Sequence, residues 1–240
     1  PSFWASYPNF IIGNESNGDI VLDDRTEGKV SGLTGFNPFH CPKEFTINNG
    51  RKITYTRPAA NLKYTNQYNG WNTLALPFDA TLQIDNEVQT PVTTTAAGDY
   101  WLRKCTNAAA DGELTFSDTA DGTIAANTPY IFALPASMQD KDAVFTAIST
   151  AEAPITVKAS DNVDYSSDEY FSFRAAFTPQ IAQPMYLLTA GEGAAADSFV
   201  LYDKGNIASF RAYFAAVDAG SLGIRQLSFG AGSGETTSLS

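Results

Sequence analysis

Short runs of branched and aromatic residues, each cut off within a few positions by a turn residue, recur from Asp19 to Phe229. No window of a dozen residues shows 3.6-residue apolar periodicity free of Gly and Pro, and without that stripe a helix has no face to bury. The chain therefore reads as all-β, with about a dozen strands or more in a β-sandwich-like architecture and little helix. Strands are expected over residues 19–22, 52–57, 71–78, 99–105, 113–117, 129–134, 143–149, 154–159, 169–177, 184–189, 198–203, 207–214 and 222–229. Alternation in the second of these puts Ile53, Tyr55 and Arg57 on one face. Asp111-Gly112 marks a tight turn, and Pro77 and Pro135 end their strands. The best helical candidate, Ser137–Lys141, is one turn at most.

The 240 residues are long enough for one large or two small domains. Residues 36–230 read as the main all-β module. Residues 1–35 form either a small lobe or extra strands, and the Gly/Ser/Thr-rich 231–240 reads as a flexible linker. With 15 Lys+Arg against 26 Asp+Glu the net charge is −11, which argues against nucleic acid or an anionic membrane surface as partner. A 43% hydrophobic, 17% charged composition excludes a disordered chain. No apolar run approaches the roughly 18 residues that span a bilayer. The chain opens Pro1-Ser2-Phe3-Trp4, with no basic, apolar leader. A start without Met suggests a processed or trimmed chain, so the missing leader says little about compartment.

Catalytic signals are sparse. The lone histidine, His40, precedes Cys41, and neighbours on an extended segment point apart, which places them badly for proton transfer. One histidine and two cysteines fall short of a four-ligand zinc site, so no metal or other cofactor is expected. Asp161, Asp164, Asp168 and Glu169 offer oxygen ligands for calcium, although such a cluster is more often a solvated loop. Dinucleotide, P-loop and nucleophile-elbow motifs are missing. Nothing singles out two of the 26 carboxylates as a glycosidase pair. Cys41 and Cys105 read as one disulfide or as two separate buried thiols.

Aromatics are the remaining constellation: 16 Phe, 11 Tyr and 3 Trp. Planar rings on a β-sandwich either fill the core or stack on sugars. Trp71 opens an apolar strand and is expected in the core. Trp101, Tyr100 and Trp4 are the candidates for a ligand platform. The echo between Ser172-Phe173-Arg174-Ala175-Ala176-Phe177 and Ser209-Phe210-Arg211-Ala212-Tyr213-Phe214 reads as two similarly packed strands rather than a repeated binding element.

Four segments, in order, resemble a known group. Gly70-Trp71-Asn72-Thr73-Leu74-Ala75-Leu76-Pro77-Phe78-Asp79 is similar to a GWNTLCLPFD signature of secreted surface proteins of Bacteroides-type gut bacteria. Phe36–Thr46 with Ile53-Thr54-Tyr55-Thr56-Arg57 resembles the lead-in to that signature, and Asn127–Phe132 and Ser209–Phe214 resemble its later strands. Two positions depart: Ala75 stands where a cysteine is common, and Ser209 where a proline is common. The resemblance implies export and a non-catalytic role outside the cell, since some such modules are described as adhesins. It implies no catalytic residues. The expected function is thus a secreted or cell-surface module for adhesion or binding, with an extracellular glycan or protein as ligand. A carbohydrate-binding module, a glycosidase and a structural spacer are the rivals.

Overall fold

A computed structural model of the chain describes residues 19–23, 44–48, 50–65, 70–158, 170–177, 184–190, 196–203, 207–217, 220 and 223–230. Along the chain, the strands begin with β1 (Ile20–Asp23), β2 (Phe45–Ile47), β3 (Lys52–Arg57), β4 (Tyr64–Thr65), β5 (Trp71–Leu74), β6 (Thr81–Ile84) and β7 (Glu87–Val88). Next come β8 (Trp101–Ala108), β9 (Glu113–Asp118), β10 (Tyr130–Pro135), β11 (Ala143–Ile148) and β12 (Ile155–Val157). The last are β13 (Phe171–Ala176), β14 (Met185–Thr189), β15 (Ser198–Tyr202), β16 (Arg211–Ala216) and β17 (Gln226–Phe229). The protein is all-β and sandwich-like. The helical content among the described residues is two single 3-10 turns, Ala59–Asn61 and Ala136–Met138, and no helix there is long and apolar enough to cross a membrane.

The strands form a five-stranded sheet in the order β1-β3-β11-β6-β7 and a ten-stranded one in the order β13-β16-β14-β15-β17-β9-β8-β10-β4, with β5 also pairing β10. A small ladder joins β12 to β2. Alternation assigns the faces as expected in β3: Ile53, Tyr55 and Arg57 are buried and Lys52 is exposed. With Leu22, Leu82 and Phe145 they pack on Leu74, Leu102, Tyr130, Phe132 and Leu134 of the larger sheet. β10 is buried on both faces, which is why Tyr130–Leu134 is a continuous apolar run rather than an alternating one. Its Ile131 faces a second core built from Phe116, Phe171, Phe173, Phe199 and Phe214.

That second core shows that the large sheet curls. Five inter-strand steps separate β9 from β13, about 24 Å across a flat sheet at ~4.8 Å each. Yet the rings of Phe116 in β9 and Phe173 in β13 sit 5.7 Å apart, edge to face. The sheet has rolled until its two halves face each other. The repeated Phe-Arg-Ala segments lie side by side in this roll: β13 and β16 pair antiparallel, Phe173 opposite Phe214 with rings stacked at 4.5 Å. The packing reading of the echo accounts for them.

Some boundaries differ from expectation. The 71–78 strand ends at Leu74, because after it Ala75 turns to donate its N–H to Phe210 O. The 207–214 strand starts only at Arg211, since Phe210 takes a left-handed φ of 63° that no strand residue adopts. The expected 99–105 strand runs on to Ala108 through an irregularity between Cys105 and Asn107. The β6–β7 hairpin was not anticipated. Its turn, Asp85-Asn86, has φ of 53° and 68°, the doubly left-handed geometry that joins two strands tightly.

Candidate functional site

A strand at the margin of a sheet presents backbone groups that need partners. Among the described residues β5 pairs with β10 on one side only. Along its other side, three different groups cap it. Asp197 Oδ2 accepts the N–H groups of Gly70 and Trp71, each at 2.9 Å. Arg57 Nη1 donates to Thr73 O at 2.9 Å. Phe210 O accepts the Ala75 N–H at 3.3 Å. The partners come from β3 and from the far end of the chain, so this flank of β5 is the seam where the curled sheet meets the five-stranded one.

Arg57 is the hub of the seam. It is 1% exposed. Its Nη2 donates to Phe210 O at 3.0 Å and its Nε to the Tyr55 hydroxyl at 3.3 Å, and its guanidinium lies 5.3 Å from the Phe132 ring centroid. The same Tyr55 hydroxyl accepts from Arg211 Nη1 at 2.8 Å. One phenol oxygen therefore holds two guanidinium groups.

Beside this hub is a cavity of about 250 Å³, lined by Arg57, Lys63, Arg211, Asn61, Asn72, Trp71 and Thr73, with Leu187, Leu188, Ile207, Ala208 and Ala212. Three of these described residues are cations and none is a carboxylate, in a chain whose carboxylates outnumber its cations. Asn72 is committed to positioning: its Oδ1 accepts the Lys63 N–H at 3.0 Å and its Nδ2 donates to Lys63 O at 2.9 Å. That two-way clamp fixes the backbone of Lys63 against β5. Trp71 is held from beside the cavity, with the Arg103 guanidinium 5.1 Å from its ring centroid and Phe229 at 6.4 Å. Arg103 is in turn paired with Asp118, Nε to Oδ1 at 2.7 Å, both side chains largely buried. The cleft thus presents fixed donors and part of an indole at the junction of two sheets, the kind of place where small-ligand sites form.

The residues expected to carry a platform fall differently. Tyr100 is 1% exposed and packed in the first core, so its ring has no face to offer a ligand; burial also pushes its hydroxyl well above the ordinary tyrosine range. Trp101 is half-buried. It lies opposite Ala133 from one side while Trp71 lies opposite Ala133 from the other, which sets the two backbones about 10 Å apart across the fully buried Ala133. Trp71, expected in the core, is half-buried and packs against the second core. Trp4, His40, Cys41 and the cluster Asp161, Asp164, Asp168 and Glu169 lie outside the described residues. Cys105 is half-buried in β8, with Sγ 3.4 Å from Asn107 O; Cys41, its expected partner, lies outside the described residues.

A larger groove, about 770 Å³, lies over the outer face of the five-stranded sheet. Two buried polar atoms there, Thr146 Oγ1 and Asn127 Oδ1, have no hydrogen-bond partner. Its charges are engaged: Asp79 Oδ1 accepts the Ala126 N–H at 2.7 Å and Lys158 lies 3.7 Å from Glu44. The rest of its wall is mainly threonine, alanine and aliphatic. Size favours the groove, but convergent and positioned polar groups favour the seam cleft.

Sequence reasoning missed Lys63, Asn72, Asp197 and Arg211 as members of a site. One signal was available for Arg57: an arginine in register with Ile53 and Tyr55 on an apolar face must be buried, and a buried cation needs a built environment. Comparison of the chain with protein-family models, with characterised proteins and with solved structures finds no match in any of the three.

Proposed function

We propose that this protein is a non-catalytic module, secreted or displayed on a cell surface, that binds an extracellular ligand in adhesion, and that the seam cleft holds the ligand. The observation that supports this most is the convergence of Lys63, Arg211 and Arg57 with Trp71 around one small cavity on clamped backbone. The segments that resemble secreted surface proteins supply the cleft: Arg57, Trp71, Asn72, Thr73 and Arg211 all lie within them. A site built from fixed donors and an aromatic wall suits recognition.

A screen of the purified chain on a glycan and matrix-protein array tests this reading. Saturable binding that Lys63→Met weakens, with the melting temperature unchanged, is the expected result. Turnover of any polysaccharide or peptide that a single carboxylate substitution abolishes would replace it with an enzyme. A blank array would leave a structural spacer as the better description. The partial exposure of Trp101 favours a second reading, a carbohydrate-binding site at the start of β8. Binding lost on Trp101→Ala but kept in Lys63→Met would move the site there.

A further inference from the structure

We infer that the groove over the outer face of the five-stranded sheet is a second binding site and that it takes an uncharged saccharide, held through the sugar's hydroxyls. No described residue lines both this groove and the seam cleft. Along β11, alternation sends Ala143 and Phe145 into the first core and turns Thr146 to the opposite, groove-side face. Thr146 is nonetheless only 6% exposed, and its Oγ1 is buried with no hydrogen-bond partner. Asn127 stands on the same groove with its Oδ1 in the same condition. A buried polar atom without a partner works against folding. Two of them on one groove mark positions that a ligand's polar groups would satisfy.

The two atoms ask for different things. Asn127 Oδ1 only accepts, so a ligand must donate to it, while the Thr146 hydroxyl both donates and accepts. A ligand hydroxyl meets either. An acyl chain would leave both atoms unmatched, and a carboxylate or phosphate would leave Oδ1 without a donor. The net charge of −11 also repels an acidic ligand. Thr81, Thr123 and Thr156 add further hydroxyls to the wall. Thr81 lies opposite Thr146 and donates from Oγ1 to Thr146 O at 3.3 Å, which leaves the lone pairs of Oγ1 to accept from a sugar.

The apolar part of the groove fits the same ligand. Ile148 at 62% and Val88 at 60% are the most exposed large apolar residues among those described, and both line it. With Pro154 and Ile155 they offer a surface for the C–H face of a pyranose ring. About 770 Å³ lies inside the ~300–1,000 Å³ typical of small-ligand sites, room for a short oligosaccharide. An extended peptide gains affinity chiefly by adding to an open strand edge. The floor strands have no such edge to give: β11 is laddered to β3 and β6, and β6 to β11 and β7. The floor is therefore read through its side chains, which present hydroxyls and methyls.

The test titrates the full chain with cellobiose, maltose, lactose and mannobiose, and with the capped peptide acetyl-Val-Thr-Val-amide, by calorimetry and saturation-transfer NMR. At least one disaccharide is expected to saturate with a Kd on the order of 1 mM or tighter. Thr146→Val and Asn127→Gly should each weaken it about three- to tenfold. Glycine takes the left-handed φ of 58° at position 127 freely, so that variant keeps its turn. Thr146→Val carries a readout that a structural role would reverse. Removing an unpaired hydroxyl should leave the melting temperature unchanged or higher, so the variant is expected to be no less stable and yet to bind more weakly. A lower melting temperature would show Thr146 Oγ1 bonded within the fold and would overturn the inference. So would saturation by no disaccharide, saturation indifferent to both variants, or tighter binding of the peptide than of any sugar. Binding lost in Lys63→Met but kept in Thr146→Val would place the sugar in the seam cleft, overturning the groove while leaving the proposed function standing.

Discussion

Replacing Arg57 by Met measures what the seam contributes to stability. Methionine is close enough in length to fill the volume, so the change removes donors and charge without opening a large cavity. Thr73 O then loses its bond from Nη1, Phe210 O keeps the Ala75 N–H, and the Tyr55 hydroxyl keeps Arg211. One buried carbonyl left without that donor costs about 1–3 kcal/mol. Losing the guanidinium from above Phe132 and Tyr55, at 5.3 and 5.8 Å, costs about 0.5–2 kcal/mol more. Against these stands the relief of no longer burying a charge, which is large in principle and offsets part of the loss. The expected net is a destabilisation of about 2–3 kcal/mol, or roughly 4–12 °C in melting temperature for a chain of this size. Urea unfolding should show a lower midpoint with the slope unchanged. Arg57→Lys should fall between the two, since an ammonium keeps the charge but lacks the fork that reaches both carbonyls. Tyr55→Phe combined with Arg57→Met should cost less than the two separately, because both act on one shared bond. A Met variant as stable as the parent, or more so, would refute the reasoning. The buried charge would then be a cost carried for the ligand rather than a fastening between sheets.

Asp197→Asn leaves one acceptor oxygen but removes the charge that takes two N–H groups, so stability should drop by about 1–3 kcal/mol in the same urea assay. A drop under about 0.5 kcal/mol would mean the carboxylate is not capping β5 in solution. Gly98→Ala should be more damaging than an exposed substitution, because a Cβ there would collide with the Thr90 carbonyl and the backbone of Pro91 and Val92; about 1–3 kcal/mol or more is expected from thermal melts. Burial also holds the hydroxyls of Tyr100 and Tyr130 protonated beyond the usual tyrosine range. Their folded pKa lies above the unfolded value near ~10, so the folded state keeps protons that the unfolded state releases. Stability from these groups is intact below about pH 10 and declines above it. Absorbance at the phenolate band should show them ionising late, and Tyr100→Phe should blunt the alkaline loss.

The fold was legible to the extent that apolar pattern alone determines it. Ile53, Tyr55 and Arg57 alternate onto one face and are buried as read. The unbroken apolar run at Tyr130–Leu134 is a strand buried on both sides. Asp111-Gly112 makes its turn, with Gly112 at φ 88°. What pattern could not carry was anything set by partners distant in sequence. β6 and β7 are short and half polar, and they exist because β11 offers β6 a ladder. The start of β16 is set by the left-handed Phe210, whose ring packs on Tyr55 at 4.4 Å. The candidate site was illegible for the same reason. Trp71 and Arg211 share a cavity only because the sheet rolls, and nothing in either segment announces the roll. Tyr100 was misplaced because, beside a tryptophan at a strand start, an aromatic facing the core and one facing solvent read alike in sequence.

The seam also dictates the order in which the molecule can be completed. Arg57 reaches a carbonyl 153 residues downstream, and Trp71 a carboxylate 126 residues downstream. A chain emerging from a ribosome or a membrane pore can build its early hairpins at once, but it cannot fasten β5 until Asp197 and Phe210 have followed. Until then a guanidinium meant for the interior waits in water, and the unfinished half stays loose enough to be threaded. Nascent chains stalled before residue 197 should therefore remain open to protease across residues 50–80, and those released beyond residue 216 should close.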